Sequence, residues 1–456
     1  MELDIGYFGD ARLQRNGALI MERVVERQTV CLRKLADDRA EQAKFRRFIA
    51  NDSVTVQEML SHRAMFVAAA TAGRHVLAIQ DTSEINYQAQ SGRKHGLGRV
   101  GNGSDIGLFV HPVIAVDAAE QGCFGLVDAQ VWRRTNGKAA NYKKLPIEEK
   151  ESYRWLKGGN QAKAVLADAA MVTVLDDREG DIYEKWARLP DRRTHILTRA
   201  SRDRALAEGD RLFKTMHGFV ESHRYLLEVA ERPGKRAARL AWMALRFGRV
   251  RIRRPENCSD PNAPEEIELF AVEVRELNPP PGEQQIIWRL LTTHTVETVI
   301  QALAVIGWYR QRWHIEQLFR TLKRQGLRIE ESVVEDGEAL EKLAIIALIA
   351  ATITMQLVLA WTPGSEGPPA SRVFDDEQIK VLYALQKKLQ GRTEKQKNPF
   401  RPESLAWAAW TIARLGGWTG YKSDKSKGPI TMRDGLERFN ATVDGFRLAL
   451  QHVCPS

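Results

Sequence analysis

Three acidic residues stand where side chains can do chemistry. Asp81 closes the apolar run "HVLAIQD", Asp177 belongs to the acidic end of "MVTVLDDREGD", and Glu316 is seated among cations in "WYRQRWHIEQLFRTLKRQG". Carboxylates gathered without a lysine to neutralise them repel and raise one another's pKa, a conflict that a divalent cation removes. All-oxygen donors favour Mg²⁺ or Mn²⁺. Two such ions about 3.5–4 Å apart clamp the attacking and leaving oxygens of an in-line displacement at phosphorus, so the chemistry would be phosphoryl transfer. Each acid also has a plain structural reading. A strand-terminal Asp is often a turn former or the cap of the next helix. Glu316 could be one partner of an i, i+4 ion-pair lattice with Arg312 or Arg320, contributing roughly a few tenths of a kcal/mol per pair. From the residues alone, either Asp176 or Asp177 could be the acid that ends its strand.

The elements that must position these acids can be read from periodicity. A single helix is expected from about Glu297 to Lys323. With Tyr309 as zero and 100° per residue, Arg312 falls at about −60°, Glu316 at about −20°, Arg320 at about +20° and Lys323 at about −40°. These residues form one polar stripe, and Trp308, Ile315, Leu318, Phe319 and Leu322 an adjoining apolar arc that can pack on a sheet. The runs "HVLAIQD", "GLFVHPVIAVDA", "CFGLVDAQVWRR" and "MVTVLDD" read as strands, with a helix in "IEEKESYRWLKGGNQAKAVLADAA" before the last, an α/β layered core.

Outside that core the pattern changes. Residues 1–70 show helical periodicity, with a cap signal at Asn51 to Ser53. Residues 201–295 turn β-rich and basic, in "YLLEVA", "ARLAWMALRFGRVRIRR", "IELFAVEVREL" and "QQIIWRLLTT", and read as an inserted sheet. "LAIIALIAATITMQLVLAW" is long enough to nominate a transmembrane span, but its Ala, Thr and Gln356 favour a buried central helix. A "TPGSEGPP" linker, a solvated basic stretch at 387–401 and a last helical region follow.

A chain of 456 residues, 43% hydrophobic, can bury a sizeable core. Net charge is +10 and the pI is near 9.4, an excess that suits a polyanion, nucleic acid first. Cys31, Cys123, Cys258 and Cys454 lie far apart, with no C-x-x-C pair, which argues against structural zinc. "MELDIGYFGDARLQRNG" does not have the form of a secretory signal, so the reducing cytosol is the expected compartment.

The pattern Y-x2-R-x3-E-x6-K, met by Tyr309, Arg312, Glu316 and Lys323, resembles the signature of the bacterial DDE transposases of the insertion-sequence-four family. Within it the sequence looks like the cut-and-paste group that forms hairpin ends. "IQDTS" is similar to the family's first acidic motif and "DREGD" to its second, which selects Asp177 over Asp176. The resemblance runs from "GDARLQR" and "FRRFIAND" to "IARLGGW" and "DGF".

It implies an α/β, RNase H-like catalytic core (71–200 and 296–365) interrupted by the β-rich insertion (201–295). A helical DNA-end-binding domain (1–70) and a C-terminal helical dimerisation region (366–456) would flank it. Asp81, Asp177 and Glu316 would bind two Mg²⁺, Asp81 between both. Trp288 matches an aromatic that stacks a base flipped from the hairpin end, against the alternative of a core or strand-face Trp. Tyr309, Arg312 and Lys323 would contact nearby phosphates, Arg199 would make a further DNA contact, and Arg46 and Arg47 would belong to the end-binding domain. The implied activity is binding of terminal inverted repeats, nicking, hairpin formation and joining of 3′-OH ends to target DNA. A homodimeric synaptic complex would carry it out in the bacterial cytoplasm, on the nucleoid and without a membrane. The alternative is a catalytically silent DNA-binding inhibitor or a domesticated descendant.

Overall fold

Short polar side chains start the helices of the N-terminal stretch by accepting from orphan first-turn N–H groups. Asp10 caps α1 (Ala11–Arg27), Asp38 caps α3 (Arg39–Ala50) and Thr55 caps α4 (Val56–Thr71), with a single turn, α2 (Leu32–Leu35), between the first two. The expected cap at Asn51 to Ser53 is displaced: Asn51 ends α3, and its side chain accepts from Ser53 N at 2.8 Å. That turn occupies the Asn oxygen, so Thr55 accepts from Glu58 N instead.

The computed structural model describes residues 3–101, 103–134, 145–231, 236–323, 325–360, 368–420 and 427–453. Strands β1 (His75–Gln80), β2 (Ser83–Asn86), β3 (Gly98–Val100), β4 (Asp105–Asp117) and β5 (Cys123–Trp132) follow the first helices. Next come α5 (Tyr153–Val165), β6 (Met171–Asp176), α6 (Tyr183–Arg188), β7 (Thr194–Arg199) and α7 (Leu212–Gly218). Four more strands, β8 (Glu221–Val229), β9 (Arg239–Arg253), β10 (Glu266–Glu276) and β11 (Ile287–Thr292), lead into α8 (Val299–Arg310) and α9 (Trp313–Leu322). The chain closes with α10 (Gly337–Leu359), α11 (Asp376–Leu389), α12 (Leu405–Leu415) and α13 (Pro429–Val453). The architecture is mixed α/β, and the "TPGSEGPP" linker falls largely outside the described residues.

These elements form two units, the first comprising 1–72, 82–137 and 313–456, the second 73–81 and 138–312. In the first, β2, β3 and β5 all pair antiparallel with β4, and helices surround α10. By length and composition α10 could cross a membrane. From Leu343 through Leu357 every residue is buried within the fold. Its polar groups are satisfied there: Thr352 Oγ1 donates to Ile349 O at 2.7 Å and Gln356 Nε2 to Phe124 O at 2.9 Å.

The second unit carries the sheet order β1-β6-β7-β11-β10-β9-β8. The first three strands are parallel and the rest antiparallel. β1 and β6 are buried at every position but the first, which is why they read as unbroken apolar runs. The β-rich segment supplies β8 to β11 but not a sheet of its own. β11 pairs with β7, a half-polar strand not foreseen, and the antiparallel strands continue the parallel ones. The expected single helix over 297–323 is two. Gln311 N and Arg312 N bond to carbonyls three residues back, Trp308 O at 3.0 Å and Tyr309 O at 3.1 Å, and this tight turn separates α8 from α9.

Candidate active site

Parallel strands in register finish side by side, so the residues that follow them are neighbours. Asp81 follows β1 and Asp177 follows β6, with Ile79 opposite Leu175 two residues earlier. Arg312, in the turn after α8, lies against both: its Nη1 is 3.4 Å from Asp81 Oδ2 and 3.8 Å from Asp177 Oδ2. Tyr309 Oη, one turn earlier, donates to Asp177 Oδ1 at 3.0 Å. Burial, and then the negative charge of Asp177, push the Tyr309 phenol well above its ordinary range, so it serves as a hydrogen-bond donor and not as a base. Trp288 on β11 meets the Tyr309 ring edge to face, centroids 6.1 Å apart. Arg199 ends β7 opposite Leu290, and its Nη2 donates to Ile287 O at 3.1 Å.

Asp176 and Asp177 have opposite surroundings, as alternation along a strand requires. Asp177 is 29% exposed, whereas Asp176 is wholly buried. Asp176 is ion-paired with the buried Lys185 of α6 and accepts from Gln80 Nε2 at 2.7 Å and Thr198 Oγ1 at 3.0 Å. Burial holds the Lys185 ammonium well below the usual lysine range. A Cβ on Gly180 would sit 2.4 Å from Asp176 Cβ, so the glycine of "DREGD" is what lets the turn close over this carboxylate. The last residue of that motif, Asp181, accepts from Ser201 N at 2.7 Å and Arg202 N at 3.0 Å and is ion-paired with Arg204. It thereby fixes the loop just beyond Arg199. Of these supporting residues, Lys185, Thr198 and Gln80 were not singled out from sequence. The signal was the Asp-Asp doublet at a strand end, where one acid must face inward and needs a partner.

The remaining predicted residues lie in the first unit. Glu316 is half-buried in the first turn of α9. Because the chain turns at Gln311–Arg312, the single stripe predicted from Tyr309 to Lys323 is divided between two helices. Lys323 Nζ is 3.7 Å from Glu330 Oε1. Burial pushes the neighbouring His314 imidazole down to about 4, and among the described residues neither ring nitrogen has a hydrogen-bond partner. Arg46 and Arg47 are exposed on α3, whose opposite face buries Phe45, Phe48 and Ile49.

Among the described residues, no group of three His, Cys, Asp or Glu side chains is gathered closely enough to hold a metal ion by itself. What the second unit does provide is a pair of carboxylates sharing one positive group, an all-oxygen donor set suited to a hard divalent cation.

One solved structure similar to this chain is the cryo-EM structure of a piggyBac transposase synaptic complex with hairpin DNA. The likeness is distant: 11% identity over 95% of this chain and 71% of that one, with a TM-score of 0.39. Residues 120–353, from just before β5 into α10 and including both Asp177 and Glu316, match the family described as Transposase DDE domain. That match spans just over half of the sequence, and the chain belongs to the DDE transposase family.

Proposed function

We propose that this chain is a metal-dependent DNA transposase of the insertion-sequence-four kind, cutting and pasting through hairpin ends. The observation that carries this reading is the pairing of Asp81 and Asp177 about one guanidinium at the ends of adjacent parallel strands. In this reading Asp81, Asp177 and Glu316 hold two Mg²⁺, which Mn²⁺ can replace. The bound ions would offset charge on the attacking and leaving oxygens. Tyr309 keeps its proton and orients Asp177. Arg312, Arg199 and Lys323 supply fixed positive charge for phosphates, and Trp288 offers an indole face to an unstacked base.

Water attacks phosphorus at the transposon end and frees a 3′-OH. That hydroxyl attacks the opposite strand, closing a hairpin and releasing the flanking DNA. A second hydrolysis reopens the hairpin, and the same 3′-OH then joins target DNA. Every step exchanges one oxygen for another in line at phosphorus, so one site serves them all.

The accompanying organisation is an RNase H-like core (71–200 and 296–365), an insertion (201–295), an end-binding domain (1–70) presenting Arg46 and Arg47, and a dimerisation region (366–456). The working form is a homodimer on paired ends, in the cytoplasm on the nucleoid and independent of membranes. The test is cleavage of a labelled duplex carrying the element's own ends, with Mg²⁺ and with EDTA, by wild type and Asp177→Ala. Cleavage only by wild type with Mg²⁺, with end binding retained in the variant, supports the reading. Binding without cleavage by wild type would leave the silent DNA-binding inhibitor.

A further inference from the structure

The last rung of the parallel strands carries side chains that the proposed chemistry does not use. Asp176 and Thr198 are register partners at the ends of β6 and β7, and Gln80, the last residue of β1, bonds to Asp176 from the other side. Each immediately precedes a candidate site residue: Gln80 precedes Asp81, Asp176 precedes Asp177, and Thr198 precedes Arg199. Successive side chains of a strand leave on opposite faces, so fixing this rung on one face sets where the next emerges on the other. The tie is closed by Lys185, which is ion-paired with Asp176 and donates to Thr198 Oγ1 at 3.1 Å. Gln80 Nε2 extends it to Trp155 O at 3.1 Å, anchoring the strand ends to α5. All four of these side chains are fully buried. Apolar residues of similar volume often stabilise a core as well as a buried ion pair does, so the pair's distinctive contribution is direction and spacing.

We propose that Lys185 is a positioning residue: through Asp176, Thr198 and Gln80 it holds the ends of β1, β6 and β7 at the separation that lets Asp81 and Asp177 take a divalent cation together. This inference rests on the metal-dependent reading above. Its test is titration of the full-length protein with Mn²⁺, followed by electron paramagnetic resonance of the free ion, alongside thermal unfolding. Lys185→Met leaves a buried carboxylate without its partner and is expected to unfold early. The informative variants are therefore Thr198→Val and the double replacement Asp176→Leu with Lys185→Met, which removes both charges. The double variant is expected to keep a melting temperature close to wild type while binding Mn²⁺ about 10- to 100-fold more weakly, the range typical for loss of groups that orient metal ligands. Thr198→Val is expected to lose a smaller part of the affinity. Undiminished Mn²⁺ affinity in a folded double variant overturns the positioning role and leaves the metal-dependent reading intact. No Mn²⁺ binding by wild type, with or without end DNA, overturns that reading and the inference with it.

Discussion

The three parallel strands β1, β6 and β7 present unlike chemistry at their two ends. Where they finish, Asp81 and Asp177 lie beside Arg312, in partial contact with solvent. Toward their beginnings lies an equally dense cluster of titratable groups, built around imidazole rings and a hydroxyl. His75 Nε2 is 2.8 Å from Thr173 Oγ1, which is 2.7 Å from His294 Nε2, and His195 stacks on His294 with ring centroids 4.0 Å apart. Trp308 packs on both His75 and His294 at 4.8 Å. Burial, then the neighbouring imidazoles, push His294 down to about 3, so that ring is neutral near pH 7 and packs as part of a polar core. Density of ligand-type residues therefore does not mark a reactive site. Helix α8 touches both ends through adjacent residues, Trp308 and Tyr309.

The largest expected effect separates the two ends by activity. Replacing Asp177 by Ala should reduce DNA cleavage by about 10³-fold or more, since several kcal/mol of charge stabilisation at about 1.4 kcal/mol per decade is lost. Unfolding free energy should change by no more than about 1 kcal/mol, because the residue is partly exposed. A cleavage assay beside urea unfolding reads both. A variant that unfolds but cleaves normally would reverse the roles assigned to the two ends.

At the histidine end the expected signature is acid sensitivity. The folded pKa of His294 lies below its unfolded value of about 6.5, so its contribution is complete above that pH and is lost as pH falls toward 3. His195 is lowered too, by burial, with Asp191 acting in the opposite direction. The loss should approach roughly 5 kcal/mol for His294 once the pH is below 3. His294→Gln, which keeps a partner for Thr173, should flatten the decline between pH 7 and 4 in denaturant midpoints. An unchanged slope would show that acids elsewhere control it.

Much of this contrast was open to sequence reasoning, for local reasons. Asp81 and the Asp176–Asp177 doublet sit at strand ends because β1 and β6 are apolar runs stopped by acids, a pattern visible without tertiary information. β7 was missed because "THILTR" alternates only weakly, and its pairing with β11 joins residues about ninety positions apart. The turn at Gln311–Arg312 contains neither Gly nor Pro, so periodicity carried the helix straight through it. Lys185 was invisible for the opposite reason: a lysine predicts surface, and only the fold supplies the carboxylate that permits its burial. The histidines are scattered from 75 to 294, and nothing in their spacing announces the cluster.

A smaller effect probes the aromatic at the carboxylate end. Trp288→Ala should leave nicking nearly intact while weakening a flipped terminal base by about 1–3 kcal/mol, read with a fluorescent adenine analogue at the hairpin tip. Unchanged fluorescence would return Trp288 to the role of a strand-face residue packed on Tyr309.

The smallest effect concerns the cation that distinguishes the two ends. Arg312 is 12% exposed and reaches two carboxylates, whereas the histidine cluster is built of imidazoles and a hydroxyl. Arg312→Ala should leave two like charges facing each other and lower stability by about 1 kcal/mol, solvent screening keeping the figure small. If the pair accepts a divalent ion, Mg²⁺ should raise the melting temperature of the variant more than that of wild type, since a ligand stabilises in proportion to its preference for the folded state. Calcium should do the same without supporting cleavage, which separates occupancy from turnover. The same titration on His294→Gln should show no differential, because the change leaves the Asp81–Arg312–Asp177 grouping untouched. Equal Mg²⁺ shifts in wild type and Arg312→Ala would mean that the guanidinium and the metal do not compete for the carboxylates, and the distinction drawn between the two strand ends would then rest on exposure alone.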